Sequence, residues 1–273
     1  MNDTSLAGAD LGGLTADLVR RTLLDAAEIA AAVTLPRFRS VLAVDNKEAQ
    51  GFDPVTEADR QAELAIRELI GNRFPDHAII GEEWDDKPGA GRFAWIIDPI
   101  DGTRAFITGV PVWGTLVGLT IDGKAVAGLM AQPFTGEIFM SLPGEASYHR
   151  GTDRVEMRTS KVTELARAKM TTTSPDLFER KGVAEPWNRI RRSVLTTRYG
   201  LDCYGYALMA AGHIDLVVEA ALKDVDICPL IPLIENAGGV ITTWDGGRAE
   251  QGGNCVAAAT PELHAAAMAV LRG

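Results

Sequence analysis

Residues 95 to 106 read Trp95-Ile96-Ile97-Asp98-Pro99-Ile100-Asp101-Gly102-Thr103-Arg104-Ala105-Phe106. Three bulky apolar residues describe a buried strand, and the chain then meets two carboxylates, a glycine and a threonine. Pro99 stiffens the exit from the strand, and a bend there lets Asp98, Asp101 and the Ile100 carbonyl face one point in space. Hard oxygen donors at that density select Mg²⁺, Mn²⁺ or Ca²⁺ over zinc. A helix starting near Asp101 would leave the backbone N–H groups of Gly102 and Thr103 at its positive end, where a phosphate oxygen is welcome. Asp-Gly is also a common turn dipeptide, so this stretch taken alone leaves an ordinary surface turn open.

Working outward, a second apolar strand ends in acid at Ile79-Ile80-Gly81-Glu82-Glu83. An earlier acidic stretch reads Asp53-Pro54-Val55-Thr56-Glu57-Ala58-Asp59, and Val225-Asp226-Ile227-Cys228-Pro229 opens a helical run far downstream. Together these residues resemble the inositol monophosphatase family of metal-dependent, lithium-sensitive sugar phosphatases. That family's motifs are Asp-x-Val-Thr-x-x-Asp, Gly-Glu-Glu, Asp-Pro-Ile-Asp-Gly-Thr and Trp-Asp before a helix; the first three occur here in that order, Val225-Asp226 stands at the fourth, and the resemblance runs from about Lys47 to Gly239. The resemblance implies an α+β fold, a layered αβαβα sandwich with the active site between an N-terminal and a C-terminal half, and a homodimer. It makes Glu82, Asp98, the Ile100 carbonyl, Asp101 and Asp226 metal ligands and Asp59 the acid of a further, weaker magnesium. Two or three Mg²⁺ per site are implied, with Mn²⁺ as a substitute. Glu82 and Thr103, with Asp59, form the expected catalytic set that positions and deprotonates water, and Gly102 and Thr103 hold the phosphate. So many carboxylates around one phosphate would repel it and each other, which is why metals are required. Phosphate-monoester hydrolysis is among the slowest uncatalysed reactions, and metal ions assist both the attacking and the leaving oxygen. No covalent phosphoenzyme is expected: haloacid-type phosphatases use Asp-x-Asp, and Asp98-Pro99-Ile100 lacks the second acid.

Two departures refine the resemblance. Val225 stands where the family usually has Trp, and Cys228-Pro229 where small residues are common, so different packing is expected behind Asp226. Arg104-Ala105-Phe106, with Pro111-Val112-Trp113-Gly114-Thr115, is similar to the histidinol-phosphate phosphatase branch, whereas inositol phosphatases carry Asn before the aromatic. Gly200-Leu201-Asp202 replaces the Gly-Thr-Ala that the inositol branch places beside the sugar. Inositol has only hydroxyls, while histidinol phosphate carries an ammonium and an imidazole, so an extra carboxylate favours the latter. Asp202, Glu219, Arg104 and Gly200 are therefore the expected substrate contacts. Asp202 also suits the N-cap of a helix from Cys203, and the two roles can coexist.

Composition agrees with a globular enzyme. The chain has 273 residues, 46% of them hydrophobic, and a mean hydropathy near zero, enough for a large core. A formal net charge of -10 argues against nucleic-acid and anionic-membrane partners, because there is no basic excess to release counterions. Cys203, Cys228 and Cys255 are widely spaced and imply neither a disulfide framework nor a zinc knuckle. No stretch is long and apolar enough to span a bilayer, and the small, acidic start does not read as a signal peptide. A cytoplasmic protein is expected, organised as a flexible leader (1–13), an N-terminal half with the metal motifs (14–150) and a C-terminal half completing the site (151–273).

The periodicity predicts helices over 14–35 and from a Thr56 cap to Pro75, and an antiparallel meander over 113–121, 125–131 and 138–141 with a turn at Asp122-Gly123. It further predicts helices over 203–211 and 228–236, strands over 214–219 and 240–243, and a last helix capped by Thr260 with Pro261 at its first position. Arg189, Arg191, Arg192 and Arg198 read as a solvated face or subunit contact, and the four histidines as structural or exposed. Lys47 corresponds to a loop lysine of the family, and Trp84 either covers the cleft or packs. The function expected from the resemblance is histidinol-phosphate phosphatase in histidine biosynthesis, acting on a small phosphomonoester. An inositol-1-phosphate or broader sugar or nucleotide phosphatase is the alternative. A binding partner of transcription or RNA machinery is a reading of another class, which the acidic chain and filled ligand positions disfavour.

Overall fold

Thr15 and Thr56 start the first two helices as side-chain caps. Thr15 Oγ1 accepts the Leu18 N–H at 3.2 Å, and Thr56 and Asp59 close a reciprocal capping box. The computed structural model describes residues 11–41, 43–47, 52 and 54–273, so Asp53 and residues 1–10 of the expected leader lie outside it. In chain order the first elements are α1 (Ala16–Thr34), β1 (Val44–Asn46), β2 (Pro54–Thr56), α2 (Glu57–Arg73), β3 (Ala78–Gly81), β4 (Phe93–Asp101), α3 (Thr103–Ile107), β5 (Gly114–Ile121), β6 (Lys124–Gln132), β7 (Glu137–Leu142), β8 (Glu145–Arg150) and β9 (Asp153–Glu156). The remainder runs β10 (Lys169–Thr172), α4 (Pro175–Arg180), α5 (Ala184–Ser193), β11 (Thr196–Tyr199), α6 (Asp202–Ala210), β12 (Leu216–Leu222), α7 (Asp224–Ile227), a 3-10 turn (Cys228–Leu230), α8 (Ile231–Asn236), β13 (Val240–Thr243), β14 (Gly253–Ala258) and α9 (Pro261–Arg272).

Two large sheets organise these elements in layers. A seven-stranded sheet takes the order β3-β4-β5-β6-β7-β8-β9 and a five-stranded one β11-β10-β12-β14-β13, beside the small β1-β2 pair. Helices α1 and α2 cover the outer face of the larger sheet, burying Val19, Leu23, Ala26, Ile66 and Ile70 against Trp95, Ile97 and Leu119. Between the sheets lie α6, the 3-10 turn and α8, contributing Tyr206, Leu230 and Leu233. Helices α5 and α9 cover the far face through Trp187, Ile190, Leu263 and Leu271. Each sheet thus has both faces buried, which explains why β5 is buried at every residue and shows no alternation.

The meander and its Asp122-Gly123 turn form as expected, both turn residues having left-handed backbones. The single helix expected over 228–236 is instead a 3-10 turn followed by α8. Pro229 and Pro232 supply no backbone N–H, so regular i to i−4 bonding cannot run through the segment. Pro229 takes up the unusual packing anticipated behind Asp226. A Cβ at Gly128 would stand 1.9 Å from the Pro229 carbonyl oxygen and one at Gly118 3.0 Å from its Cα, so these glycines let the turn rest directly on β5 and β6. Among the described residues, no helix is long and apolar enough to cross a membrane.

Candidate active site

Two β-bulges aim acids into one cavity from opposite sheets. Along β4, Asp98 pairs with Leu116 and Asp101 with Gly114, so the strand carries one residue more than its partner between them. Pro99, which donates nothing to a ladder, sits inside that bulge, and its carbonyl accepts the Thr115 hydroxyl at 2.8 Å. Along β12, Glu219 pairs with Cys255 and Leu222 with Gly253, again with one extra residue. There Ala221 has φ 57°, and its N–H donates to Asn254 Oδ1 at 3.0 Å. This backbone is costly for alanine, and the Asn254 bond helps to hold it. The two strand ends, α7 and the start of α6 enclose a cavity of about 490 Å³.

Asp98, Asp101 and Asp226 bring ligand atoms within 4.8 Å of one another. Each also accepts a backbone N–H: Ile100 donates to Asp98 Oδ1 at 3.0 Å, Cys203 to Asp101 Oδ2 at 2.7 Å and Lys223 to Asp226 Oδ2 at 2.7 Å. Burial, then the facing carboxylates, push Asp98 and Asp101 well above the usual carboxylate range, and burial also raises Asp226. One buried and two half-buried acids that repel one another and offer only hard oxygens fit a divalent cation of the Mg²⁺ or Mn²⁺ kind. Glu82 lines the same cavity, and its Oε1 accepts from Lys223 Nζ at 2.8 Å and Lys47 Nζ at 3.3 Å. Burial alone would raise Glu82, but the two ammonium groups outweigh it and hold the carboxyl below its ordinary value. Lys47 also pairs with Glu83 at 2.5 Å.

Thr103 links the metal loop to α2. Its Oγ1 is 3.1 Å from the Ile100 carbonyl and 3.4 Å from Asp59 Oδ1. Asp59 Oδ2 accepts the Thr56 N–H and hydroxyl at 2.9 and 2.5 Å, and burial lifts its pKa to about 6. Asp59 stands behind Thr103, outside the residues that form the cavity wall. Gly102, with φ 84°, lies under Asp202: a Cβ there would be 2.9 Å from Asp202 Oδ2. Asp202 makes no cap. It is the first residue of α6, with φ 46°, and the Cys203 N–H it could have capped is held by Asp101. Burial raises the Asp202 carboxyl against the Thr173 hydroxyl and Arg104, which favour the ion.

Glu219 faces Thr173, which gives it an N–H at 2.6 Å and a hydroxyl at 3.0 Å; the Thr172 hydroxyl adds a third donor at 3.1 Å. Burial nevertheless lifts Glu219 to about 8. Arg104 lines the cavity and donates to the Phe52 carbonyl. Gly200 lies outside the wall and forms the turn before α6, its N–H reaching the Thr172 and Thr173 carbonyls. Trp84 is exposed and outside the cavity wall, its indole N–H donating to the Arg60 carbonyl at 3.1 Å. Arg189 ties down the end of α9 through the Val270 and Leu271 carbonyls. Sequence reasoning missed Lys223, Thr172 and Thr173. Lys223 carried one usable signal, its place three residues before Asp226, the spacing of a capping box.

The sequence profile of the Inositol monophosphatase family matches residues 16–273. A histidinol-phosphatase of Chlorobaculum parvum is 34% identical over 234 residues, covering 85% of this chain and 88% of that protein. The bifunctional phosphatase IMPL2, chloroplastic, of Arabidopsis thaliana is 43% identical over 199 residues; the match spans 72% of this chain but only 56% of that longer relative. Among solved structures, an inositol monophosphatase from Zymomonas mobilis superposes with a TM-score of 0.83 at 35% identity, covering 95% of this chain and all of the other.

Proposed function

We propose that this chain, which belongs to the inositol monophosphatase family of phosphatases, is a Mg²⁺-dependent hydrolase of histidinol phosphate that serves histidine biosynthesis. The observation that carries the substrate assignment is Asp202, an acid on the cavity wall directly over Gly102. With Glu219 on the same wall, it suits a leaving group bearing an ammonium better than one bearing only hydroxyls. The name of the Chlorobaculum relative, a histidinol-phosphatase, supports this reading.

Asp98, Asp101, Asp226, Glu82 and the Ile100 carbonyl would hold the metal, which when bound neutralises charge on the phosphoryl oxygens and acidifies a water. The chain's own residues do the rest. Thr103 Oγ1, between the Ile100 carbonyl and Asp59, orients the attacking water, and Asp59 behind it takes up the proton. Gly102 and Thr103 line the wall where the phosphate lies. Lys223 and Lys47 keep Glu82 ionised and fixed. Inhibition by lithium is expected on the same reading.

Phosphate release measured across histidinol phosphate, inositol-1-phosphate, fructose-1,6-bisphosphate and adenosine bisphosphate, with Mg²⁺ and with excess EDTA, tests the assignment. Histidinol phosphate should give the highest kcat/KM and EDTA should abolish turnover. A higher value for inositol-1-phosphate refutes the substrate, and full activity in EDTA refutes the metal.

A further inference from the structure

Four cations stand on the cavity wall: Arg104, Arg180, Lys181 and Lys223. Two are engaged, Arg104 with the Phe52 carbonyl and Lys223 with Glu82. Arg180 and Lys181, at the end of α4, are exposed, and among the described residues their side chains have no hydrogen bond or ion pair. The rest of the charged wall is acidic: Glu82, Asp98, Asp101, Asp202, Glu219 and Asp226. The whole chain carries a formal charge of -10, so a phosphomonoester dianion meets repulsion on approach.

We infer that Arg180 and Lys181 form a cationic rim that captures the phosphate dianion from solvent and steers it into the cavity. The inference rests on the phosphomonoester reading above. Long-range steering needs charge at a fixed place and not a held side-chain geometry, so exposed, unpaired cations suffice, whereas an ion-paired one would be largely neutralised. The place is fixed because Phe178 anchors α4, stacked on Trp187 at 4.3 Å and fully buried. Arg180 and Lys181 line the same cavity as Thr173 and Glu219. Leu177 on the same helix lines the cavity, which sets α4 at its mouth.

The test compares Arg180→Glu/Lys181→Glu with Arg191→Glu/Arg192→Glu, an equal charge change on exposed residues of α5 that do not line the cavity. Two readouts are taken in low and high salt: kcat and kcat/KM for histidinol phosphate, and calorimetric binding of inorganic phosphate to the Mg²⁺-loaded protein. The rim variant should lose roughly five- to ten-fold in kcat/KM and in phosphate affinity at low ionic strength, with kcat unchanged. The gap should close in about 0.5 M salt, where the Debye length falls to a few ångströms. The control pair should match wild type. Equal behaviour of the two pairs overturns the inference, and so does a loss that persists at high salt, which marks a direct contact. Arg180→Gln/Lys181→Gln should give about half the effect on a logarithmic scale, and is the variant of record if the reversal does not fold. Wild-type protein that releases no phosphate from any phosphomonoester refutes the proposed function, while phosphate binding still decides the rim.

Discussion

Asp101→Asn separates what Asp101 does for the fold from what it does for the metal. Its Oδ2 accepts the Cys203 N–H at 2.7 Å and so supports the start of α6. The carboxyl is pushed up by burial and by the facing Asp202 and Asp226. An asparagine keeps one acceptor for the Cys203 N–H and removes a charge that the fold resists, so the metal-free variant should be at least as stable as metal-free wild type. Mg²⁺ should then discriminate. A ligand at a hundred times its Kd stabilises the native state by about 2.7 kcal/mol, which for a chain of this size is a rise in Tm of about 5 to 10 °C. Wild type should show that rise on titration with Mg²⁺ and the variant little of it, because an amide nitrogen facing the site cannot replace an anionic oxygen. Turnover should fall by roughly a hundred-fold or more. Scanning calorimetry across a Mg²⁺ series, with phosphate release on the same samples, reads both effects. If Mg²⁺ stabilises the variant as much as wild type, or if turnover stays near normal, Asp101 is not a metal ligand.

Three further outcomes follow from separate parts of the molecule. Asp202→Asn should cost thirty-fold or more in kcat/KM for histidinol phosphate, the equivalent of about 2 kcal/mol or more for one side of a desolvated charge pair, and change p-nitrophenyl phosphate hydrolysis little; equal losses on both substrates would make Asp202 a structural support. His77 stacks between Phe74 and Phe93 at 4.7 and 4.6 Å, and its Nδ1 accepts the Trp95 indole N–H at 3.1 Å. Burial and then Lys87 lower its pKa, so its contribution is intact above about 6.5 and is lost as pH falls below that value toward the lower folded pKa. Denaturant midpoints at pH 7.5, 6.5 and 5.5 should fall less steeply in His77→Asn than in wild type, and parallel curves would refute the assignment. Arg67→Ala should destabilise by about 3 kcal/mol or more, because it strands the fully buried Glu63, which pairs with Arg67 at 2.6 Å and accepts the Glu83 N–H at 2.7 Å. A change under about 1 kcal/mol in urea unfolding would show that Glu63 takes up a proton and needs no partner.

What could be read from the chain alone divides by range. The acids at Asp98 and Asp101 were legible because they close an apolar run and Asp226 because it opens a helical one, and Pro99 announced the bend between the first two. The meander was legible because Asp122-Gly123 fixes its register. The bulge in β12 was not, since nothing in Ala220-Ala221-Leu222 marks a left-handed alanine; that backbone is held by Asn254, thirty-three residues away. The parallel pairing of β10 with β11 and β12 is set by crossovers through α4, α5 and α6 and leaves no local pattern. The same limit explains the role given to Asp202. Its preference for a helix N-cap is a local property, but Asp101 reaches the Cys203 N–H from the other sheet and leaves Asp202 to face the cavity. The acid that ties the end of β4 to the backbone of α6 is thus itself a ligand candidate, and so metal binding at Asp101 bears directly on where Asp202 sits. Occupancy of one site and shape of the other should then change together, so the loss of Asp101 should weaken discrimination between histidinol phosphate and inositol-1-phosphate as well as the rate.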